Sequence, residues 1–478
     1  MLGEKFAYPS LMHYFEAISA IPRPSYHEEK IADYLVAFAE ERGLAYHRDS
    51  TNNVLINLPA SKGYESKSPI LLQGHTDMVC EKNEGVPHDF LRDSLKLYEK
   101  DGWIRAEGTT LGADNGVAIA AMLALLDGAS EEHPALQCLF TSSEEVGLDG
   151  AKAFDYSRIY ARKMLNMDSA DEHTITVGCA GGLRSTLTLP ARKEACVAPL
   201  LKLRVTGLAG GHSGEDIHRG RANANKVMGR VLWTLSEEFG DLRLVSIHGG
   251  TKDNAIPRES EAVVCVENRE GAMELVERIS KEIKAELFAD DRGFTLTAEP
   301  IADAVGESFD RESTETVAFL LVTVANGVFE TNPALSGLVE FSRNLGIVDT
   351  VENGVEVVFS SRSGRDSQID ASAASLDAYA KRLGGTVRHY NRYPGWAYAE
   401  DSEIRREYTA AYRKLYGKDP KVEVIHAGLE CGIIKEAIPD MDMLSCGPVV
   451  LDLHSPDEAL NKDSFERFFG LILEILKN

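Results

Sequence analysis

The first part of the chain alternates between amphipathic segments and short, wholly apolar ones. Apolar residues recur every three to four positions over residues 9–18 and 25–42, which predicts two helices. Ser25, with Glu28 three residues later, has the pattern of a capping box at the start of the second helix. Apolar strands are predicted over residues 54–58, 70–73, 136–141 and 164–167, and an apolar helix over residues 116–126. Buried strands separated by helices predict an α/β fold with helices on both faces of the sheet.

The middle of the chain, residues 187–393, has strands separated by only one or two helices. The apolar run at residues 317–325 fits a buried strand and a buried helix equally, because periodicity does not separate the two. Strands are predicted over residues 201–206, 262–267, 335–344 and 355–361, and helices over residues 223–239, 271–287 and 370–383. This arrangement predicts an α+β domain of two lobes.

The α/β pattern returns from Pro394 onward. Helices are predicted over residues 402–416, 433–437 and 464–476, and strands over residues 422–425 and 442–446. Because helices and strands alternate in the last part of the chain as they do in the first, the sequence predicts one discontinuous α/β domain. That domain comprises residues 1–186 and 394–478, and residues 187–393 are inserted into it.

The composition narrows the class of protein. Of 478 residues, 44% are hydrophobic and 26% are charged, values typical of globular chains. The chain has 51 Lys and Arg against 75 Asp and Glu, a net charge of −24, which disfavours nucleic acid and anionic membranes as partners. We see no signal-peptide pattern, and the longest apolar run has ten residues where a membrane span needs about 20. Seven cysteines without a C-x-x-C pair fit free thiols, so we expect a cytoplasmic protein.

Five groups of polar residues stand beside the apolar segments. Taken singly, each has an ordinary interpretation, such as a surface histidine, a helix cap or a solvated acidic turn. Four groups follow predicted strands, at the edge where α/β sheets place their sites, and Asp114 opens a helix. The groups are His75 with Asp77, Asp114, Glu144 with Glu145, Asp168, and His454. Together they favour a metal site built from imidazoles and carboxylates.

These residues can hold a pair of metal ions that share one carboxylate. The two sets are His75, Asp114 and Asp168, and Asp114, Glu145 and His454. His75 and Asp77 point to the same face of an extended chain, so Asp77 can orient the imidazole. Glu144 is then left as a general base. Imidazole and carboxylate ligands without thiolate suit Zn²⁺, Mn²⁺ or Co²⁺.

The combination of these segments resembles a known enzyme family. The segments are 21–25 (IPRPS), 73–78 (QGHTDM), 110–116 (TLGADNG), 141–147 (TSSEEVG), 178–182 (GCAGG), 210–214 (GGHSG), 426–432 (HAGLECG) and 454–458 (HSPDE). They span nearly the whole chain, in order. The chain resembles the di-metal exopeptidases of the aminopeptidase clan, which include carnosinase-like dipeptidases, tripeptidase T and succinyl-diaminopimelate desuccinylase. Within that group it is most similar to the aminoacyl-histidine dipeptidase (peptidase D) branch.

The resemblance implies roles for the residues above. It implies a di-zinc exopeptidase-type mixed sheet flanked by helices, and the two ligand sets already given. Asp77 would support His75, and Glu144 would take a proton from a water between the two ions. A cis peptide bond is implied after Asp114. Residues 1–186 and 394–478 would form the catalytic domain, and residues 187–393 a two-lobed lid domain.

Four further positions match places where this family meets its substrate. His212 resembles a histidine that polarises the scissile carbonyl, and Asn254 an asparagine that helps to hold the substrate; both could be ordinary loop residues. Arg362 resembles the arginine that binds the substrate's C-terminal carboxylate, a task that Arg365 could also perform. Glu430 stands where the family meets the substrate's free amino group, and it could also be an ordinary loop acid.

We therefore expect a cytoplasmic metallo-dipeptidase that cleaves L-dipeptides, Xaa-His among them, with two divalent ions, Zn²⁺ ahead of Mn²⁺ or Co²⁺. The same scaffold could carry an N-acyl amino acid deacylase, a tripeptidase or a metal-free binding protein. Glu430 favours a free amine over an acyl group, and the full ligand set with Glu144 disfavours the metal-free protein. Expected partners are small peptides, with neither nucleic acid nor membrane. The resemblance favours a homodimer, in which His212 could act in its own chain's site or in its partner's.

Overall fold

The helices that the apolar pattern predicts are present in the computed structural model, with their ends shifted by a few residues. The structure describes residues 6–196, 198–302, 306–333 and 337–477. Its α-helices in these ranges are α1 (Pro9–Ser19), α2 (Glu29–Glu41), α3 (Ala113–Leu126), α4 (Asp149–Ala153), α5 (Ala224–Glu238), α6 (Arg269–Glu286), α7 (Arg311–Thr323), α8 (Asp366–Leu383), α9 (Glu403–Tyr416), α10 (Glu430–Ala437) and α11 (Lys462–Lys477).

The predicted strands are also present, together with further strands of up to ten residues that were not predicted. The strands are β1 (Ala45–Arg48), β2 (Val54–Leu58), β3 (Ile70–His75), β4 (Leu97–Lys100), β5 (Trp103–Ala106), β6 (Leu136–Thr141), β7 (Lys163–Asn166), β8 (Thr174–Cys179), β9 (Gly181–Pro190), β10 (Lys193–Cys196), β11 (Leu200–Thr206), β12 (Gly211–His212), β13 (Arg243–Gly249), β14 (Ala255–Ile256), β15 (Ser260–Cys265), β16 (Thr295–Pro300), β17 (Gly306–Phe309), β18 (Gly327–Thr331), β19 (Val339–Val351), β20 (Gly354–Ser363), β21 (Thr386–Tyr393), β22 (Lys421–Ile425), β23 (Asp442–Ser445), β24 (Val450–Leu451) and β25 (Ala459–Asn461). Leu335, near the start of the strand predicted over residues 335–344, lies outside the described residues.

The chain divides into two compact units. The first comprises the described residues of Met1–Gly178, Trp396–Val424 and Leu429–Asn478, and the second comprises those of Cys179–Gly395 and Ile425–Gly428. The first unit is thus discontinuous, and a short segment late in the chain belongs to the second. The assignment of residues 1–186 and 394–478 to a catalytic domain and of residues 187–393 to a lid stays a prediction.

The first unit is built on an eight-stranded mixed sheet in the order β1-β2-β6-β3-β7-β23-β8-β22. Strand β3 runs parallel to β6 and β7, and β7 runs parallel to β23. Strands β1, β2 and β8 add antiparallel pairs. The predicted α/β class with a mixed sheet is confirmed. Since parallel strands end at the same edge, the residues that follow β3, β6 and β7 come together there.

Helix α3 lies in the hydrophobic core of the first unit. All of its residues except Asp114 are buried, which explains why its sequence from Gly116 onward is apolar without interruption and has no polar face. The residues that bury α3 belong to the hydrophobic core of the same unit. None of the helices in the described ranges has the length and apolar character that crossing a membrane requires.

The second unit is built on a nine-stranded antiparallel sheet. Its order is β16-β11-β15-β13-β19-β20-β9-β21, and β18 pairs with β19. Helices α5 and α7 contribute buried apolar residues to the core on this sheet. The ambiguous run at residues 317–325 belongs to α7, which begins earlier because the Asp310 carboxylate accepts the Ser313 N–H at 2.8 Å and caps the helix.

The predicted capping box at Ser25 is wrong. Helix α2 begins at Glu29, and no side chain caps its first turn. The Ser25 hydroxyl instead donates to Asp77 at 2.7 Å, and Glu28 accepts the backbone N–H of Ser143 at 2.8 Å. Both residues therefore brace loops of the candidate site, a task that the local sequence pattern does not reveal.

Candidate metal centre

His75 ends strand β3, and Asp77 follows it in the next loop. Both side chains are buried, and His75 Nδ1 lies 3.3 Å from Asp77 Oδ1. Asp77 also accepts the backbone N–H groups of Glu144 at 3.0 Å and Glu145 at 3.2 Å. One carboxylate therefore orients the imidazole and holds the loop that carries the two glutamates.

The loop after β6 turns at Ser143, whose φ of 50° lies in the left-handed region. Glu28 Oε1 stabilises this turn, because it accepts both the backbone N–H of Ser143 at 2.8 Å and its hydroxyl at 2.7 Å. The turn presents Glu144 and Glu145 in succession. A non-glycine residue in this conformation is uncommon and is held here by buried hydrogen bonds.

Asp114 lies between the two histidines. Its Oδ1 is 3.0 Å from His75 Nε2, and its Oδ2 is 3.1 Å from His454 Nε2. Asp114 does not act as an ordinary helix cap, because both of its carboxylate oxygens face the two histidines; Asp114 and Asn115 have non-helical backbone angles at the start of α3. The peptide bond from Asp114 to Asn115 is cis, as the resemblance implies.

Five of the predicted residues meet in two groups that share Asp114. His75 Nε2 lies 3.6 Å from Asp168 Oδ1, and His454 Nε2 lies 3.0 Å from Glu145 Oε1. In each group the potential ligand atoms lie within 4.8 Å of one another; the groups are His75, Asp114 and Asp168, and Asp114, Glu145 and His454. Glu144 joins His75 and Glu145 in a third such group.

His454 does not follow a strand of the main sheet, contrary to the prediction from the sequence. The sequence places it after an apolar run that ends at Leu451, as though it followed a strand of the main sheet. In the structure the main-sheet strand β23 ends at Ser445, and His454 follows β24, which belongs to a separate four-stranded sheet with β25, β5 and β4. His454 has a left-handed φ of 60°.

The site attracts positive charge. Hydrogen bonds to Asp114 and Glu145 raise the pKa of His454 to about 10. Burial raises the pKa of Asp168 to about 6, and the nearby carboxylates of Asp114 and Glu145 add to this rise. Glu145 Oε1 is buried, 3.0 Å from His454 Nε2. Four carboxylates and two imidazoles whose ligand atoms cluster in this way fit a site for divalent cations.

Glu144 is mostly buried beside these groups. Burial raises its pKa well above the ordinary value; the positive charge of His75 opposes this rise, while Asp168 and Glu430 add to it. Burial likewise disfavours charge on His75, but Asp168 and Asp114 outweigh this effect and raise the pKa of His75 well above its ordinary value. Each group therefore prefers its protonated form until cations balance the carboxylates.

His212 lies in the second unit, on the short strand β12. Its Nδ1 accepts the backbone N–H of Glu215 at 3.2 Å, which assigns the proton of the neutral ring to Nε2. Burial and the positive charge of Arg362 lower its pKa, so the ring is neutral at pH 7. His212 can therefore donate a hydrogen bond from Nε2.

The other predicted residues of the second unit differ in burial. Asn254 is exposed, and its carbonyl accepts the Ser213 N–H at 2.8 Å, one residue after His212. Arg362 is 5% exposed and donates to the Tyr393 hydroxyl at 3.0 Å, while its Nε has no acceptor. Arg365, by contrast, is more than half exposed and pairs with Glu340 at 3.3 Å. Arg362 is thus the buried arginine with a free donor, whereas Arg365 is exposed and already paired with Glu340.

Glu430 opens α10 in the first unit and is 1% exposed. Its Oε2 accepts hydrogen bonds from Gln73 Nε2 at 2.5 Å and from the Thr141 hydroxyl at 2.8 Å, while its Oε1 has no donor. Burial raises its pKa to about 7. Gln73 and Thr141 were not predicted as site residues, although each is a polar residue near the end of an apolar strand.

The fold and the site together define an α/β protein with a candidate dinuclear metal centre. Residues 71–478 match the model of peptidase family M20/M25/M40. The chain belongs to this family. The matched range includes the candidate metal ligands of the first unit and the whole of the second unit.

Similar proteins cover nearly the whole chain. The cytosol non-specific dipeptidase of Escherichia coli (strain K12) is 39% identical over 467 residues, which are 97% of this chain and 96% of that protein. The crystal structure of aminoacylhistidine dipeptidase from Vibrio alginolyticus is 38% identical, with a TM-score of 0.95 over 99% of this chain and 97% of its own. Aminopeptidase PepT from Bacillus cereus ATCC 10987 has the same fold, with a TM-score of 0.56 and 16% identity over 99% of this chain and 98% of its own. The predicted resemblance is confirmed.

Proposed function

We propose that this chain is a metal-dependent dipeptidase that hydrolyses L-dipeptides, Xaa-His among them. The observation that carries the proposal is Asp114, whose two carboxylate oxygens lie 3.0 Å from His75 and 3.1 Å from His454. One carboxylate between two imidazole groups is the arrangement that a pair of ions needs. The dipeptidases of Escherichia coli and Vibrio alginolyticus, similar over nearly the whole chain, support the choice of substrate.

Two divalent ions would be held by five side chains: His75, Asp114 and Asp168 for one, and Asp114, Glu145 and His454 for the other. Imidazole and carboxylate ligands without thiolate favour Zn²⁺, with Mn²⁺ and Co²⁺ as alternatives. When bound, such ions polarise a carbonyl and lower the pKa of water. Asp77 keeps His75 in the orientation that this requires, since it lies 3.3 Å from the other ring nitrogen.

Glu144 serves as the general base. It accepts a proton from the attacking water and returns it to the leaving amine nitrogen, so that one carboxylate moves the proton in both steps. Its backbone N–H is held by Asp77 at 3.0 Å, which fixes the carboxylate beside the ligand Glu145. The adjacent glutamates thus divide two tasks, one in binding metal and the other in moving the proton.

His212 donates its Nε2–H to the oxygen of the scissile carbonyl. The Glu215 N–H on Nδ1 keeps the ring in the tautomer that carries the proton on Nε2. A neutral donor aimed at the developing oxyanion stabilises the transition state more than the ground state. His212 performs this task in the site of its own chain or of a partner chain.

The two charged ends of a dipeptide meet opposite charges. Arg362 would bind the C-terminal carboxylate, supported by its burial and by an Nε that has no acceptor. Glu430 would meet the α-ammonium group, supported by its buried Oε1 that has no donor. Asn254, tied to the residue after His212, would contact the substrate backbone.

A comparison of two substrates tests the proposal. The purified chain, supplied with Zn²⁺, Mn²⁺ or Co²⁺, is assayed on alanyl-histidine and on acetyl-histidine. We expect alanyl-histidine to be preferred by more than ~10-fold, since losing a hydrogen bond to a charged group costs about 1.5–3 kcal/mol. Preference for acetyl-histidine would favour a deacylase. Metal-free protein that binds peptides without cleaving them would favour a binding protein.

The proposed setting is the cytoplasm, in keeping with the name of the Escherichia coli relative. The proposed partners are small peptides, without nucleic acid or membrane, because the net charge of −24 repels anionic surfaces. We also propose a homodimer. Size-exclusion chromatography with light scattering, which measures the mass of the assembly directly, would test this.

A further inference from the structure

Glu458 is a buried carboxylate that has no role in the proposed mechanism. The sequence pattern does not indicate a role for it either. It is 2% exposed, and it accepts the backbone N–H groups of four consecutive residues. Oε2 accepts from Leu111 at 2.7 Å and Gly112 at 2.9 Å, and Oε1 accepts from Ala113 at 2.8 Å and Asp114 at 3.3 Å. These four N–H groups belong to residues 111–114, which join the preceding loop to α3 and end at the shared ligand Asp114. This segment is called the loop of Asp114 below.

Arg23 holds the same loop by the carbonyl group of Gly112. Its side chain is 1% exposed, and it donates to the carbonyl of Gly112 at 2.5 Å and to those of Thr76 and Asp77 at 3.0 and 3.1 Å. The loop of Asp114 is therefore tied to the end of β3, where His75 lies. Gly112 is required here, since it has a φ of 67° and a Cβ would lie 2.5 Å from Arg23 Nη2.

The segment that carries Glu458 also carries His454, four residues earlier. His454 Nε2 lies 3.1 Å from Asp114 Oδ2, while Glu458 accepts the Asp114 N–H at 3.3 Å. One short segment thus contacts both the side chain and the backbone of Asp114. A shift of this segment would therefore disturb both contacts with Asp114.

We propose that Glu458 is a positioning residue that fixes the Asp114 carboxylate between the two ligand groups, with Arg23 holding the opposite side of the loop. This inference rests on the proposed metal centre. Glu458 touches neither substrate nor metal; it acts through the backbone of Asp114. Because Asp114 is shared, an error in its placement would weaken both groups at once.

Glu458→Gln separates positioning from general stability. The variant keeps the length of the side chain, but an NH₂ group replaces one of the two acceptor oxygens and faces backbone donors. Chelator-treated, full-length protein is titrated with Co²⁺, and the visible absorption spectrum is recorded. We expect Co²⁺ affinity to fall roughly 10–100-fold, the usual effect of removing a support of a metal ligand. The Co²⁺ spectrum should also change, which a loss of stability alone would not produce.

Asp442→Asn is the matched control. The Asp442 carboxylate also accepts a helix N–H, that of Ile404 at 2.9 Å, but it begins β23 at the opposite end of the parallel strands. The control should keep the wild-type Co²⁺ isotherm and spectrum. An equal weakening in Asp442→Asn would overturn the inference, because the effect would then not be specific to the loop of Asp114.

Three further outcomes decide the remaining cases. A folded Glu458→Gln protein with the wild-type Co²⁺ isotherm and spectrum would overturn the inference. If Glu458→Gln does not fold, Glu458→Asp replaces it, since the shorter carboxylate should give a smaller change in the same direction and no change would overturn the inference. Wild-type protein that binds no Co²⁺ would instead contradict the metal centre itself.

Discussion

The backbone N–H of Glu144 donates to Asp77 Oδ1 at 3.0 Å. The same oxygen lies 3.3 Å from His75 Nδ1, so one buried carboxylate fixes the position of a proposed metal ligand and of the proposed general base. The next N–H, that of Glu145, donates to Asp77 Oδ2 at 3.2 Å. The distance between base and ligands is therefore set by a single residue of the loop after β3.

The adjacent glutamates should respond differently to the same substitution. Glu144→Gln should lower kcat by at least ~10²–10⁴-fold, the usual contribution of a general base, and should leave metal content unchanged. Glu145→Gln should instead reduce the metal bound per chain, since Glu145 belongs to the group of Asp114 and His454. Elemental analysis beside steady-state kinetics measures both. Near-normal turnover of Glu144→Gln would refute its role.

His212→Ala should lower kcat by roughly 10²–10³-fold, the cost of one oxyanion donor, without changing metal content. His218→Ala is the matched control, because His218 is an exposed histidine nearby in the same unit. The control should retain activity. If the two alanine variants lose activity to the same extent, or if His212→Ala loses only stability, the assignment is wrong.

Substrate length should matter because both charged ends of the dipeptide are held. One added residue moves a terminal charge by about 3.3–3.6 Å. The displaced carboxylate would leave Arg362 unpaired, and losing a hydrogen bond to a charged group costs about 1.5–3 kcal/mol. Alanyl-alanyl-histidine should therefore be cleaved at least ~10-fold less efficiently than alanyl-histidine, measured as kcat/KM.

Amidation of the dipeptide C-terminus should have a comparable effect. Arg362→Ala should remove the difference between the acid and the amide, whereas Arg365→Ala, at a more exposed arginine paired with Glu340, should preserve it. Loss of the difference in Arg365→Ala alone would reverse the assignment. Equal kcat/KM for dipeptide and tripeptide would favour a tripeptidase or a general aminopeptidase.

His426 should make the stability of the second unit depend on pH. It is 8% exposed, its Nε2 lies 2.7 Å from the Ser342 hydroxyl, and burial with the charge of Arg362 and the nearby His212 and His218 lowers its pKa to about 3. The unfolded chain, with an ordinary pKa of about 6.5, binds an extra proton between these two values. Stability should therefore fall as pH drops below about 6.5, by about 2 kcal/mol at pH 5.

The midpoint of urea unfolding at pH 8 and pH 5 measures this effect. His426→Gln should show a smaller difference between the two pH values than the wild type does. His27→Gln, at an exposed histidine of the first unit, should keep the wild-type difference. The same pH dependence in wild type and His426→Gln would mean that other groups are responsible.

The candidate ligands could be found from the sequence because of where they lie along the chain. His75, Glu145 and Asp168 follow apolar segments that form β3, β6 and β7, and parallel strands bring their ends to one edge. The continuous apolar run of α3 likewise predicts a helix in the core. In these cases local pattern and three-dimensional position agree.

The supports of the site could not be found in this way. Ser25 and Glu28 match a capping box, yet they contact Asp77 and Ser143, which are distant in sequence. Glu458 accepts four N–H groups of a loop far earlier in the chain. The sequence pattern around a residue does not indicate its contacts with backbone that is distant in the chain. The roles of these residues in supporting the site are therefore seen only in the folded structure.

The metal dependence of kcat is the decisive measurement for a site in which Asp114 is shared by two ions. The chain is treated with a chelator, returned to buffer with increasing equivalents of Zn²⁺, and assayed on alanyl-histidine at each step, with metal content measured in parallel. Metal-free protein should not hydrolyse alanyl-histidine, and full activity should return as two ions bind per chain. Full turnover of alanyl-histidine by protein that contains no metal would rule out a metal-dependent dipeptidase.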